Sequence, residues 1–462
     1  MTKKRLEEEV AQLRAELAEA RALIAELRAE LEQLRNERSN PPPFVKPNTP
    51  KAKSQANKQP SRKRAKEQNG ARRRDIPTQI IQHKVEQCPT CTYPLRHHRL
   101  AGQRQVIELP PPQPVEITEH QLYKSWCARC QRWHYASVDV STQVIGQSRI
   151  GVRIASLIAY LRTSLRLPVR LIREYLHREY LHSVHNLLIS TGEIAELLHR
   201  VAEAPTVQQA MQQVHERVRH SPIVHGDETM WREEGHNGYV WLFATPYGER
   251  YYEYNRSRAG AVAKRILGAD FRGTLVTDFY AAYNDFPGEH QRCWAHLLRD
   301  LHQLKEEHKD TTYNEQVLDW ATGLRKLYDQ AQALVRGPSP PDAHEREATY
   351  SRLLQDTAEL ARRYANAKEH SSHPCHTLSK RLLLHLDGLF QFVRQPDLSA
   401  DNNLAERSVR PVVVMRKVSG GSQSERGSRT RMTLASLFGT WRAKGLNPFS
   451  ECLFLLSAPA IP

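Results

Sequence analysis

Apolar positions along the chain fall into three successive patterns. Leu6, Val10, Leu13, Leu17, Ala20, Ile24, Leu27, Leu31 and Leu34 are spaced alternately four and three apart, with Glu and Arg at most other positions. Such a narrow a/d stripe predicts a coiled coil, since a helix packing on a globular core needs a wider apolar face. Between about 148 and 220 the spacing becomes helical but short-ranged: GVRIASLIAYLRTSL, LPVRLIREYLHREYL, and a run from Ser190. Ser190-Thr191-Gly192-Glu193 fits a capping box opening a helix with Ile194, Leu197 and Leu198 on one face. From Ser221 the period drops to that of strands. SPIVHGDETMW holds a first strand that ends at Asp227, and GYVWLFATP and ERYYEYNRS read as the second and third strands of a meander. A helix, GAVAKRILG, and a fourth apolar strand, GTLVTD, follow, with HQRCWAH at 290–296 as a fifth strand. A polar block rich in Lys, Glu, Arg and His then runs from about 301 to 394 and reads as a helical insertion.

Composition changes this picture in two places. At 462 residues the chain exceeds one compact core, and several domains are expected. The formal charge of +16 makes a polyanion the leading partner. Residues 39–79 concentrate that charge: NPPPFVKPNTPKAKSQANKQPSRKRAKEQNGARRR has almost no large apolar residue and one acid, Glu67. It cannot offset its ordering entropy and is expected as a basic linker, either gripping phosphates or serving as a solvated tether. No apolar run is long enough to span a bilayer and the N-terminus is charged, so a cytoplasmic protein without a membrane partner is expected.

Four of the seven cysteines form a pattern. Cys88-Pro-Thr-Cys91 and Cys127-Ala-Arg-Cys130 are two CxxC pairs, which can present four thiolates to a tetrahedral Zn²⁺. A redox CxxC is the rival, disfavoured by the second matched pair. Residues 80–140 are therefore expected as a zinc-binding ribbon. The helical segment 141–220, with Arg162, Arg166, Arg170 and Arg173, suits a helix-turn-helix that binds DNA, or a plain helical linker.

The apolar strands raise a sharper question, because two of them run into carboxylates. Ile223 and Val224 lead to Asp227, with Glu228 beside it, and Leu275 and Val276 lead to Asp278. A charged group brought towards a core is costly. Three antiparallel strands, a helix and a parallel fourth strand is the order of an RNase H-like domain, in which the ends of strands one and four lie side by side. Two aspartates facing each other there make sense with a divalent cation between them. A third acid is available at Glu406, in DNNLAERSVR, where Asp401 or Asn402 can cap a helix and Glu406 shares a face with Arg410. Such hard oxygen ligands suit two Mg²⁺ (or Mn²⁺) ions roughly 3.5–4 Å apart, acting on a phosphodiester. Arg407, Arg410, Arg416 and Lys417 would set positive charge beside the bound strand. A zinc hydrolase using His225, Asp227 and His296 is the weaker alternative, lacking a HExxH spacing.

Taken together, HGDETMW, the WLF strand, VTDFYAAYN, CWAHLLRDL and NNLAERSVRPVVVMRK resemble the successive signatures of the bacterial insertion sequence 66 family of DDE transposases. The resemblance covers nearly the whole chain, up to GLNPF at 445–449, and implies Asp227, Asp278 and Glu406 as a catalytic triad. It also sets Cys293-Trp294-Ala295-His296 on a Cys-x-x-His motif, which implies His296 close to the scissile phosphate; a packed histidine on strand five is the plainer alternative. The chain departs from the family pattern after Arg416-Lys417, where VSGGSQSERGSRTR lacks an aromatic residue.

The sequence thus predicts a multidomain α+β protein. Its parts are a coiled coil (1–38), the basic linker (39–79), the zinc ribbon (80–140) and a helical DNA-binding region (141–220). An RNase H-like catalytic domain in two parts (221–300 and 395–445), a helical insertion (301–394) and a C-terminal tail (446–462) complete it. The expected activity is Mg²⁺-dependent cleavage at element ends and strand transfer into target DNA, by a nucleoid-associated protein self-associating as a dimer and open to accessory proteins. A non-catalytic DNA-binding regulator and an RNase H-like structure-specific nuclease are the alternatives.

Overall fold

The computed structural model describes residues 76–96, 99–107, 115–177, 185–337 and 339–458. The expected coiled coil and all but the last residues of the basic linker lie outside them. The chain divides into two compact units, Met1–Leu109 and Pro110–Pro462. In the first, Cys88–Cys91 forms a tight turn: Thr92 N–H donates to Cys88 O at 2.8 Å, and Cys88 N–H to Tyr93 O at 2.9 Å.

The second unit opens with a two-stranded antiparallel hairpin, β1 (Lys124–Cys127) and β2 (Arg132–Tyr135), in the register Cys127↔Arg132. Four helices follow: α1 (Val152–Thr163), α2 (Val169–Leu176), α3 (Thr191–Glu203) and α4 (Pro205–Arg219). Ser190 caps α3 as its sequence predicts, its hydroxyl accepting from Glu193 N–H at 3.0 Å, while the Glu193 carboxylate turns to Arg149. The basic face expected on α1 and α2 is only partly available. Arg162 is half-buried, donating to Leu167 O at 2.8 Å across the α1–α2 turn, so it serves the turn rather than facing outwards.

The sheet has five strands: β3 (Ile223–Glu233), β4 (His236–Ala244), β5 (Arg250–Asn255), β6 (Thr274–Thr277) and β7 (Glu289–Arg292). Their order is β5-β4-β3-β6-β7, with α5 (Gly260–Leu267) crossing from β5 to β6. β3 runs antiparallel to β4 and parallel to β6, as the sequence predicts for its first and fourth strands. Two boundaries differ. β3 does not stop at Asp227 but continues to Glu233, because Glu234 and Gly235, both at positive φ, form a tight two-residue link to β4. The expected fifth strand ends at Arg292, and Cys293–His296 instead opens helix α6 (Trp294–Glu307), whose Trp294, Leu297, Leu301 and Leu304 are buried at helical spacing.

Helices α7 (Asn314–Arg336), α8 (Ala343–Ala365), α9 (Ala367–His370), α10 (His376–Leu384) and α11 (Gln391–Arg394) carry the 301–394 segment, and with α6 they build a core around Trp294, Trp320 and Phe390. The chain then returns through α12 (Asn403–Ser419), α13 (Glu425–Ala443) and α14 (Pro448–Ser457). The segment from 446, expected as a tail, is therefore largely helix: Asn447 caps it and Cys452 and Leu456 are buried.

Alternation along the strands sorts the two faces. Trp231, Val240 and Leu242 pack under α12 and α13, through Ala405, Val409 and Met432. Val224, Trp241 and Phe243 face the opposite core, which α1–α4 share with α5, α13 and α14. Gly421 seats the α12–α13 connection on β3: a Cβ there would lie 2.1 Å from Arg232 O, and its φ of +121° suits only glycine. Among the described residues no helix is long and apolar enough to cross a membrane.

Candidate active site and metal-binding clusters

The site forms where β3 loses its parallel neighbour. Pairing with β6 ends at His225↔Val276, and β6 itself ends at Thr277, while β3 runs on beside β4 alone. Asp227 is thus a mid-strand residue that lies just past the last β6 pair, and Asp278 is the first residue beyond β6. The position needs no broken strand, only a shorter partner.

Alternation then separates the adjacent acids. Asp227 sits opposite Leu242, on the α12 face, and Glu228 opposite Trp241, on the other. Glu228 is spoken for: Arg258 pairs with it at 2.7 Å and Tyr283 Oη–H donates to it at 2.7 Å. Burial nonetheless pushes its carboxyl up. Asp227 has less support, with one oxygen accepting from Glu228 N–H at 2.8 Å. Its carboxyl is pushed up to about 7, first by burial and then by the charges of Glu228, Asp278 and Glu406. One Asp278 oxygen accepts from Tyr280 N–H at 2.9 Å, which fixes the turn after β6.

Glu406 reaches this group from the first turn of α12, and a buried web holds that helix end in place. Asn402 precedes α12 without capping it; Asp401 accepts from Asn403 N–H at 3.0 Å instead. The Asn402 amide is used across the sheet, donating to Gly226 O at 2.8 Å and accepting from His225 Nδ1–H at 3.1 Å. Burial holds His225 neutral, its pKa lowered to about 4, consistent with a neutral ring donating to the amide oxygen. Asn402 N–H donates to Cys293 Sγ at 3.2 Å, Cys293 N–H to Thr277 O at 2.8 Å and Trp294 N–H to Ala400 O at 2.9 Å. β3, β6, α6 and α12 therefore meet through one set of hydrogen bonds. Asn402 and Cys293 carry this arrangement, and the sequence reading assigned neither of them that task.

His296, on the first turn of α6 rather than a strand, lies with its Nδ1 3.7 Å from Glu406 Oε1. Cys293, His296 and Glu406 offer ligand atoms all within 4.8 Å of one another. Of the expected DNA-facing residues, Arg407, Arg410 and Lys417 are exposed on α12. Arg416 is half-buried and is engaged by the protein itself, donating to Met230 O on β3. Arg407 also lines a cavity of about 200 Å³ between α12, α13 and β5, together with Arg166, Arg250 and Arg442.

A second metal-capable cluster lies on the β1–β2 hairpin. Cys127, Cys130 and His134 bring their ligand atoms within 4.8 Å of one another. His134 was not singled out in the sequence, although CARCQRWH spaces it four residues beyond Cys130. The amides of Cys130 and Arg129 lower the Cys127 thiol, and those of Thr90 and Cys91 lower the Cys88 thiol in the first unit. Each CxxC turn thus aims backbone N–H groups at its first sulfur, which favours the thiolate that a metal needs.

Comparison with known proteins fits this geometry. The sequence model of the family described as Transposase IS66 matches residues 147–430, spanning β3, β6 and α12. Two uncharacterized proteins of Sinorhizobium fredii are similar to the chain. One, y4qI, is 27% identical over 260 residues, covering 50% of this chain and 47% of its own length. The other, y4jD, is 28% identical over 212 residues, covering 43% and 40%. The chain therefore spans less than half the length of these two relatives.

Proposed function

Because the chain belongs to the IS66 family of transposases, we propose that it cuts phosphodiester bonds at the ends of an insertion element and joins them to target DNA, using Asp227, Asp278 and Glu406 as one site. The carrying observation is the web through Asn402, which brings the start of α12 against β3 and the end of β6. The strand order, with its parallel β3–β6 pair at the centre, supports an RNase H-like reading of the sheet.

The residues fit a divalent metal. Asp227 and Asp278 each commit one oxygen to a backbone N–H, and burial together with the charges of Glu228, Asp278 and Glu406 pushes the Asp227 carboxyl up. Such a group is short of positive charge, and hard oxygen donors select Mg²⁺ or Mn²⁺. When bound, a pair of these ions would lower the pKa of the attacking water or 3′-hydroxyl and offset charge on the leaving 3′-oxygen. Asp227 and Asp278 would hold the ions from the sheet and Glu406 from α12. His296, beside Glu406, would face the scissile phosphate. Arg407, Arg410 and Lys417 would bind the DNA backbone along α12, and the net charge of +16 favours DNA generally.

The hairpin cluster of Cys127, Cys130 and His134 is read as a structural Zn²⁺ site, and Cys88 and Cys91 as the second thiolate pair that the sequence offers to zinc. Self-association through 1–38 would bring two element ends into one complex. The test is an electrophoretic assay of the protein with DNA carrying candidate element ends and Mg²⁺. Cleaved and joined products are expected. Hydrolysis without joining under Mn²⁺ would favour a structure-specific nuclease, and DNA binding with no cleavage would overturn the enzyme reading.

A further inference from the structure

Cys293 and His296 do not suit the chemistry proposed for the carboxylates, because thiolate and imidazole are poor ligands for Mg²⁺. From their geometry we infer that Cys293, His296 and Glu406 form a distinct site for Zn²⁺, which takes Glu406 from the catalytic group when filled. The inference rests on the proposed function only in that last clause.

Three observations carry it. The ligand atoms of the three side chains all lie within 4.8 Å of one another. Nδ1 of His296 and Oε1 of Glu406 are both buried atoms without a hydrogen-bond partner, although buried polar atoms are ordinarily paired. Their separation of 3.7 Å is too long for a hydrogen bond yet close to the edge of a zinc tetrahedron, about 3.4 Å for bonds of roughly 2.1 Å. Cys293 completes the set: its Sγ accepts from Asn402 N–H at 3.2 Å, and although burial pushes its thiol up, the amides of Asn402, His296 and Ala295 work the other way and would remain as donors to a metal-bound sulfur.

The three residues come from well-fixed elements. Cys293 is the N-cap of α6, His296 is on its first turn and Glu406 is on the first turn of α12. A Cys-His-Glu set leaves a fourth tetrahedral position open to water. Zn²⁺ prefers this donor set and Mg²⁺ the three carboxylates, so the two ions compete for Glu406 and not for the other ligands. Zinc therefore acts as a brake on Mg²⁺-dependent cleavage.

Metal alone is the probe. Full-length protein with its hairpin module already zinc-filled is titrated with Zn²⁺ by calorimetry, and in parallel with Co²⁺ while the thiolate-to-cobalt charge-transfer band is followed. A further equivalent is expected to bind. Cys293→Ser should abolish the band of that equivalent and weaken zinc by more than the roughly 10–100-fold that loss of an outer-shell partner costs. Cys375→Ser, a buried thiol elsewhere, should leave the band intact. Glu406→Gln, which keeps the shape, should weaken zinc as well, so a folding failure of Cys293→Ser alone cannot decide the matter. No further equivalent in the parent protein, or a band unchanged in folded Cys293→Ser, overturns the site. If zinc binds through Cys293 yet does not slow Mg²⁺-dependent cleavage, the competition fails. If cleavage is absent altogether, the function fails and the zinc site stands.

Discussion

The β1–β2 hairpin and the centre of the five-stranded sheet both gather metal-capable side chains, but they do so in opposite ways. Cys127, Cys130 and His134 come from eight consecutive residues, on two four-residue strands and the turn between them, and Trp126 and Trp133 on those strands remain about half exposed. Asp227, Asp278 and Glu406 come from points up to 179 positions apart (406 − 227), fixed by buried packing on both sheet faces. Where chain folding brings no core, a metal must supply the order; where the core is complete, a metal can be left free for chemistry. On the proposed reading the cost of that freedom falls on Asp227, whose carboxyl is pushed up by burial and by the charges of Glu228, Asp278 and Glu406.

The largest expected effect tests the sheet side of this contrast. Asp227→Asn keeps shape and removes one charge, so Mg²⁺-dependent cleavage should fall by about 10³-fold or more while DNA binding and folding persist. Asp278→Asn and Glu406→Gln should behave alike. Cleavage rates with circular dichroism of each variant decide it. Near-normal cleavage by Asp227→Asn would sink the assignment and the contrast together.

On the hairpin side the order of cause reverses. Cys127→Ser, or stripping of zinc by a chelator, should unfold the 115–140 segment and leave the sheet intact. Limited proteolysis should then cut near the hairpin while the thermal transition of the remainder stays in place. About one structural zinc per chain is expected by metal analysis of protein prepared without chelator, and none would remove the module. His134→Ala should lower zinc affinity; an unaltered affinity would show that the two cysteine pairs suffice without it.

A smaller effect reads the strain at Asp227. Its folded pKa of about 7 lies above the unfolded value of about 3.9, so the native state binds more protons between them, and stability falls as pH rises through that window. His225, lowered to about 4, works the other way below about 6.5, since there the unfolded chain binds more protons. Both wild type and Asp227→Asn keep the His225 contribution, which cancels in their difference. In Mg²⁺-free buffer the variant should therefore gain on wild type by about 2–4 kcal/mol between pH 4 and pH 8. Urea midpoints across that range measure it. A difference that does not change with pH would mean that Asp227 is not held near neutrality.

The contrast also explains what could be read from sequence. Strand period and a terminal acid are local signals, so Ile223–Asp227 and Leu275–Asp278 point to the sheet centre without any knowledge of the fold. The continuation of β3 was also written locally, in the alternation of Met230, Trp231 and Arg232 and the turn at Glu234-Gly235, but a strand carrying so many polar residues looks like a loop. Trp294, Leu297, Leu301 and Leu304 carried the helical period that a strand reading of 290–296 ignored. By contrast, nothing near Asn402 announces its partner His225, 177 residues away; only the folded sheet brings them together.

That web supports the smallest expected effect. Asn402 does not touch the reacting atoms; it positions α12, and with it Glu406, through three bonds to β3 and α6. Asn402→Ala leaves the Gly226 carbonyl and the His225 N–H unpaired in a buried setting, while its own backbone bond to Cys293 can remain. The loss should cost about 1–3 kcal/mol of stability. Cleavage should fall by roughly 10–100-fold, the range for a residue that orients a metal ligand rather than binding the metal. The decisive readout is metal dependence: a loosened Glu406 should raise the Mg²⁺ concentration needed for half-maximal cleavage, and saturating Mg²⁺ should restore part of the rate. A general destabilisation would lower the folded fraction at every Mg²⁺ concentration and leave that midpoint where it was. Unchanged Mg²⁺ dependence in folded Asn402→Ala would mean that α12 is held by its apolar face alone.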